Sequence, residues 1–168
     1  MDRIDKWIDL YNSPNPTISK RALAVLVTFD DPRVTPSLLQ AFEDYYDQGF
    51  GRSIVQALKR RPSPTLVDQM MRYLDHPDPF RRAGACEVLG AFGDTRATPA
   101  LVKRLADPHL RVRMDAAWAL AHVRDSRAID ALKSRYIENP DDNINVRHAV
   151  YAALEALGAV DDLPLWFI

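Results

Sequence analysis

The sequence predicts an all-α protein, a solenoid of four to five stacked helix pairs that forms one domain. Two stretches of the chain, residues 73–105 and 104–136, match each other without a gap at an offset of 31 residues. Apolar residues recur with a helical period, whereas an alternating strand pattern is absent and glycines number only six. A repeated helical unit of this kind is typical of a solenoid, in which each unit packs against its neighbours.

The repeat extends over most of the chain. Residues 31–39 match residues 94–102 at an offset of 63, about two periods, and beyond residue 139 the offset grows to 34. This growth predicts a three-residue insertion near 139–143. The expected organisation of the single domain, 1–168, is a capping helix at 1–13, repeats at 14–45, 46–76, 77–107, 108–138 and 139–160, and a tail at 161–168.

Each unit is predicted to contain two helices separated by a short turn. Apolar residues between Val112 and Val123 recur at a helical spacing, and the turns that follow such segments begin with Asp, which can cap exposed backbone amides. Proline after His76, Asp107 and Asn139 marks the ends of units. The residues expected at equivalent core positions are Leu89, Leu101, Leu120, Leu132 and Leu154.

Composition limits the possible functions. The chain has 22 basic and 23 acidic residues, and this balance argues against a nucleic acid partner. Its single cysteine, Cys86, has no internal partner for a disulfide and is expected to pack as a small apolar side chain. The first residues do not resemble a signal peptide, and no apolar run is long enough for a membrane span. We therefore expect a cytoplasmic protein without membrane partners.

The repeat resembles the short HEAT-like repeats named after phycobilisome lyases, with the pattern D-P-x-x-x-V-R-x-x-A-A-x-A-L-G-x-x-G-D-x-R-A. The residues that carry the resemblance are Asp107, Pro108, Arg113, Ala116, Ala117 and Leu120, together with Leu89, Gly90, Gly93, Asp94, Arg96 and Ala97. Ankyrin and tetratricopeptide repeats fit less well because their own signature residues are absent. The resemblance implies a right-handed α-solenoid, or α-α superhelix, and says little about function because one fold serves many functions.

Catalytic and metal chemistry is not indicated. No His-Glu pair of the kind used by HEAT-like di-iron enzymes occurs, and His76, His109, His122 and His148 lie in separate units. Trp118 beside Arg111 and Arg113 is the nearest likeness to a HEAT-like DNA glycosylase, but a tryptophan in an alanine-rich helix more often fills a repeat interface. We therefore predict no catalytic residue, no metal site and no cofactor.

Charged residues that recur once in each unit are predicted to be structural. A catalytic group is needed once, whereas a residue repeated in each unit normally serves the stacking of units. The predicted structural ladder consists of Asp94, Asp125, Arg82, Arg113 and Arg147.

The predicted binding surface, here called the charged strip, is the solvent-facing side of the second helices, which in HEAT-like arrays line the concave wall. It should change from acidic toward the N-terminal side to basic nearer the C-terminal side, and Tyr46 and Tyr73 could act as aromatic anchors. The strip consists of Gln40, Glu43, Asp44, Asp47, Asp68, Gln69, Arg72, Tyr73, Lys103, Arg104, Asp130, Lys133 and Ser134.

The predicted function is that of a non-catalytic scaffold or adaptor that binds a partner protein on this concave surface. The alternative implied by the resemblance is a subunit of an E/F-type phycobilin lyase, or a related factor for phycobilisome assembly or degradation. Terminal repeats need a cover, which Trp7, Ile8 and Leu10 should provide at one end. At the other end Leu163, Leu165, Trp166 and Phe167 should fold back over the array or associate with a second chain.

Overall fold

All regular secondary structure in the described part of the chain is helical. The computed structural model describes residues 2–46, 49–139, 142–161 and 163. The α-helices there are α1 (Arg3–Tyr11), α2 (Pro16–Leu26), α3 (Thr35–Asp44), α4 (Gly51–Lys59), α5 (Pro64–Tyr73), α6 (Pro79–Phe92), α7 (Thr98–Arg104), α8 (Leu110–Val123), α9 (Ile129–Glu138) and α10 (Ile144–Ala156). Short 3-10 helices at Pro32–Val34, Thr95–Ala97 and Ser126–Ala128 precede α3, α7 and α9. The predicted all-α fold of repeated helices is confirmed.

The chain divides into two compact units, Met1–Ser63 and Pro64–Ile168, hereafter unit 1 and unit 2. The division falls between α4 and α5, inside the segment 46–76 that the sequence assigns to one repeat. The repeat boundaries themselves stay predictions. Among the described helices, none has the length and hydropathy needed to cross a membrane.

Unit 1 is built from α1 packed on α2 and from α3 packed on α4. Asp2 begins α1 with a capping box, because its carboxylate accepts from the amides of Ile4 and Asp5 while Asp5 bonds back to the Asp2 amide. Trp7, Ile8 and Leu10 of α1 are half-buried. The fully buried core side chains of this unit include Leu23, Leu26, Leu38, Phe42, Ile54 and Leu58.

The basic run at the end of α4 binds backbone carbonyls of unit 1. The Arg60 guanidinium donates to the carbonyl of Val27 (2.7 Å), and Arg61, which is buried, donates to the carbonyls of Phe29 and Ala57. These arginines stabilise the loop after α2.

Unit 2 has two layers of helices. Helices α6, α8 and α10 pack side by side in one layer, hereafter the inner layer. In the other layer, α5 packs on α6, α7 on α8 and α9 on α10. In this layer α6 and α8 approach each other closely at small residues. A Cβ added at Gly90 of α6 would lie 2.7 Å from the Cα of Ala119 on α8. The predicted core leucines, all in this unit, are fully buried, which confirms the helical register: Leu89, Leu101, Leu120, Leu132 and Leu154.

Candidate partner-binding surface

The acidic part of the charged strip lies on α3 of unit 1. Gln40, Glu43 and Asp44 are exposed there, and the opposite side of α3 buries Leu38 and Phe42. The Gln40 side-chain amide donates to the Asp44 carboxylate (2.7 Å). This side of α3 therefore carries a polar, acidic edge. Asp47, also predicted for the strip, lies outside the described residues.

The remainder of the charged strip lies on α5, α7 and α9 of unit 2. Its exposed members are Asp68, Arg72, Lys103, Asp130 and Ser134, and its half-buried members are Gln69, Tyr73, Arg104 and Lys133. Each of the three helices buries its other side against the layer of α6, α8 and α10. The exposed side chains are thus not required for the packing of their own helices.

Asp68 and Arg104 of the strip make polar contacts within unit 2. Arg96 donates to the carboxylate of Asp68 (3.1 Å). Arg104 donates to the carbonyl of Leu74 (3.0 Å) and forms an ion pair with Asp75 (3.2 Å). Asp68 and Arg104 are therefore engaged by neighbouring residues. The exposed cations of the strip are better candidates for contact with a partner.

Two arginines of the predicted ladder, Arg82 and Arg113, bind carboxylates that were not predicted to belong to the ladder. Arg82 forms a bidentate, buried ion pair with Asp107, through Nη2 to Oδ1 (2.7 Å) and Nε to Oδ2 (2.8 Å). Arg113, at the equivalent position of the next repeat, pairs with Asp142 (2.7 Å). Each pair joins a helix of the inner layer to the loop before the next helix of that layer. Burial favours a higher pKa for Asp107, but hydrogen bonds from Arg82 and from the backbone amide of His109 outweigh this effect. The pKa of Asp107 is therefore below its ordinary value.

The third arginine of the ladder has a different neighbour. The guanidinium of Arg147 on α10 lies over the ring of Tyr136 on α9, 5.2 Å from its centroid. This distance is within the range of a cation–π contact. Arg147 thus joins α10 to α9 by an aromatic contact.

The aspartates of the predicted ladder cap the short 3-10 helices. Asp94 accepts from the backbone amide of Arg96 (2.9 Å) and pairs with its guanidinium (2.8 Å). Asp125 and Arg127 form the same arrangement one repeat later, and Arg127 also donates to the carbonyl of Thr95 (2.8 Å) in the preceding turn. The hydrogen bonds from Arg127 lower the pKa of Asp125. The Asp-x-Arg turns therefore contact the preceding repeat through the arginine.

The same turn occurs in unit 1. Asp31 accepts from the amide of Arg33 (2.9 Å), and Arg33 reaches the carboxylates of Asp2 (2.7 Å) and Asp5 (3.0 Å) on α1. Three copies of one Asp-x-Arg turn thus have one local geometry, and this recurrence supports a structural rather than a chemical role for these groups.

The histidines of unit 2 make contacts with aromatic rings and backbone. The ring of His109 packs edge-on against Phe80 (5.5 Å between centroids), and His148 packs in the same way against Trp118 (5.8 Å). His122 Nδ1 lies 2.7 Å from the Trp118 carbonyl oxygen. In the part of the chain that the structure describes, no three His, Cys, Asp or Glu side chains are placed to hold a metal ion.

Cys86 and Asp115 are two buried titratable groups of the inner layer of unit 2. Burial raises the pKa of the Cys86 thiol, so this thiol is protonated at neutral pH. Burial also raises the pKa of Asp115, although a hydrogen bond from Arg111 (2.6 Å) opposes that rise.

A groove on α10 was missed by the sequence analysis. It has a volume of about 310 Å³ and is lined by Tyr136 of α9 and by residues of α10 that include Ile144, Arg147, Tyr151 and Glu155. Ile144 is 73% exposed, an unusual value for a large apolar side chain. The available signal was the change from alanine to larger residues at equivalent positions of α8 and α10.

Two family models match the chain. A model of HEAT repeats matches residues 4–84 and 46–121, which together cover 4–121, and a model of the PBS lyase HEAT-like repeat matches residues 112–136. No match was found among curated proteins. The matched segments contain helices α2 to α8 and the Asp-x-Arg turns described above, and the resemblance drawn from the sequence motif is confirmed. The chain belongs to the HEAT repeat family.

Proposed function

We propose that this protein is a non-catalytic scaffold or adaptor that binds a partner protein through the charged strip. HEAT repeats are generally protein-interaction scaffolds. The observation that carries the proposal is that unit 2 has two separate sets of charged residues. Its repeated charged residues maintain contacts between repeats, whereas α5, α7 and α9 present exposed charged side chains that their packing does not need.

Arg72 and Lys103 are the central residues of the proposed surface. Both are exposed, and they lie on α5 and α7, two helices that pack in the same way on successive members of the inner layer. Two positive charges on consecutive repeats suit a partner with an acidic patch, and such complementarity mainly contributes specificity and association rate. Tyr73, half-buried beside Arg72, supplies aromatic surface of the kind enriched in interface hot spots.

Site-specific photo-crosslinking in the native host tests this surface. A photo-reactive amino acid would replace Lys103 in one strain and Arg52, an exposed cation on α4, in a matched control strain. The proposal predicts that position 103 gives a defined protein adduct that the position 52 strain does not give. The same adducts from both positions, or none from position 103 while another surface position yields one, would move the site elsewhere.

The alternative function, a subunit of an E/F-type phycobilin lyase, has the match of residues 112–136 in its favour. A lyase subunit must associate with a linear tetrapyrrole, so co-expression with a bilin-producing pathway tests it directly. A scaffold would be purified without a coloured chromophore. Purification with a visible absorption band from a bound bilin, at a stoichiometric level, would favour the lyase.

A further inference from the structure

The helices of the inner layer of unit 2 differ in the residues on the side that faces the next helix of that layer. Gly90 of α6 lies directly against α8, and Cys86 is buried one helical turn earlier. At the offset of 31, the equivalent residues of α8 are Ala117 and Ala121, which are buried in the layer that α8 forms with α10. At the offset of 34, the equivalent residues of α10 are Tyr151 and Glu155. The small residues that permit close stacking therefore end at α10.

This change prevents another repeat from stacking on α10 in the same way. Close packing of the layer depends on small side chains, as the approach of Gly90 to Ala119 demonstrates. A tyrosine ring and a carboxylate would hold a following helix away from the α10 backbone. The groove lies beside these larger side chains of α10.

The lining of the groove combines aromatic and apolar side chains along α10. Tyr151 and Tyr136 lie with their ring centroids 6.0 Å apart, and Ile144 is exposed at the other end of the groove. The lining from Ile144 to Glu155 spans eleven residues of α10, or about 16 Å at 1.5 Å per residue. An extended peptide of about five or six residues has this length.

The chain turns sharply where α10 ends. α10 ends at Ala156, Gly158 adopts a positive φ of 66°, and the amide of Ala159 donates to the Leu154 carbonyl (2.9 Å), as in a Schellman turn. A further turn follows, in which Leu163 donates to the Val160 carbonyl (3.0 Å). Leu163 follows Glu155 by eight residues in the sequence, and Glu155 lines one end of the groove.

We propose that the groove on α10 is the docking site of the chain's own segment 164–168, which lies outside the described residues. This segment reads Pro-Leu-Trp-Phe-Ile and could span about 17 Å when extended, which matches the length of the groove. Its proline favours an extended backbone, and its two aromatic side chains complement the tyrosines of the groove. In this position the segment would cover the exposed Ile144. This proposal is independent of partner binding at the charged strip.

Disulfide trapping in the full chain tests the proposal. One variant carries Ala152→Cys, which lines the middle of the groove, with Leu165→Cys. The matched control carries Phe80→Cys, an exposed position on α6, with the same Leu165→Cys. Native Cys86 is fully buried, and peptide mass mapping identifies the cysteines that have reacted.

The expected result is an intramolecular disulfide between positions 152 and 165 in most molecules under mild oxidation, and several-fold less bridging between positions 80 and 165. Two results would overturn the proposal. A disulfide-linked dimer through positions 152 and 165 would mean that the segment docks on a second copy. Bridging no greater than in the control would mean that the groove holds something else. Circular dichroism of the reduced variants establishes that each retains the helical fold.

A thermal measurement without introduced cysteines gives a second test. Trp166→Ala and Tyr151→Ala are made singly and together, and the same is done with Trp166→Ala and Phe80→Ala. If Trp166 packs in the groove, the changes in Tm for the first pair should be non-additive by on the order of 2–4 °C. The control pair should be additive. Additivity in both pairs would contradict the docking.

Discussion

Arg82 on α6 binds both carboxylate oxygens of Asp107, the residue that lies before α8, and both side chains are buried. The same guanidinium donates to the carbonyls of His76 (2.9 Å) and Pro77 (2.9 Å). One arginine therefore fixes the loop before its own helix and the loop before the next. One repeat later, Arg113 likewise donates to the carbonyls of Asp107 and Pro108 and pairs with the Asp142 carboxylate.

Arg82→Met should destabilise the protein severely. The substitution leaves the buried Asp107 carboxylate without its bidentate partner, and removal of one member of a buried ion pair typically costs about 3–5 kcal/mol. Urea unfolding followed by circular dichroism measures the loss. Arg96→Met, which removes an exposed ion pair with Asp94, is the control and should have a much smaller effect. Equal losses in the two variants would contradict a special role for Arg82.

The buried Asp–Arg pairs predict how stability depends on pH. The folded-state pKa values of Asp107 and Asp142 are below the ordinary value, because hydrogen bonds from arginine outweigh the opposing effect of burial. Their stabilisation is therefore fully present above the unfolded-state pKa of about 4, and it is lost as the pH falls toward the folded-state values. Asp115 has a raised pKa and acts in the opposite direction.

Asp107→Asn tests this pH dependence. The amide keeps the size of the carboxylate but cannot ionise, so the variant should be less stable near neutral pH and should lose less stability between about pH 4 and pH 2. Urea midpoints measured across this range give both quantities. A variant with the same acid-induced loss as the native protein would show that Asp107 is not among the responsible groups.

Gly90→Ala should lower the Tm although alanine favours a helix. The gain in helix propensity is at most about 1 kcal/mol, whereas the added methyl group would lie 2.7 Å from the Cα of Ala119, and backbone cannot rotate away. Overpacking of this kind costs about 1–3 kcal/mol, so the steric effect should dominate. Ser134→Ala on the exposed side of α9 is the control and should leave the Tm unchanged or raised. A rise for Gly90→Ala would mean that α6 and α8 can separate freely.

Asp125→Ala should reduce thermal stability without a change in partner affinity. The substitution removes the cap on Ser126–Ala128 and the carboxylate that orients Arg127 toward the preceding turn. Differential scanning fluorimetry measures the Tm, and titration calorimetry measures affinity for the partner identified by crosslinking. Loss of affinity at an unchanged Tm would make the Asp-x-Arg turns part of the binding site.

The sequence predicted the features that depend on local periodicity. The buried positions of Leu89 and Leu120 followed from the offset of 31 residues and from the helical spacing of apolar residues. The partner of Arg82 did not follow, because the identity of a carboxylate 25 residues away depends on how two loops approach each other. The groove on α10 was detectable in principle, since Tyr151 and Glu155 replace alanines, but its volume depends on the side-chain conformations of α9 and α10.

The charged strip was predicted from helix periodicity and from the place of the second helices in HEAT-like arrays. Its exposure in unit 2 reflects the way α5, α7 and α9 pack. Sequence periodicity identifies the polar side of each helix, but it does not distinguish a solvated cation from one held by a neighbour. Arg104 and Arg72 occupy comparable places in the strip, yet Arg104 is tied to Leu74 and Asp75 whereas Arg72 is exposed. Such differences depend on tertiary contacts that no local pattern encodes.

The central claim is that the protein binds its partner through the charged strip, and the most direct measurement is the affinity of a charge-reversed variant. Arg72→Glu with Lys103→Glu is compared with Lys6→Glu and Arg52→Glu, which make the same change in net charge at exposed positions of α1 and α4. Dissociation constants for the crosslinked partner are measured at low salt, where exposed charges act most strongly. The account predicts at least a tenfold loss of affinity, about 1.4 kcal/mol, for the strip variant and little change for the control. Equal affinity for both variants, with the helical circular dichroism spectrum intact, would contradict it.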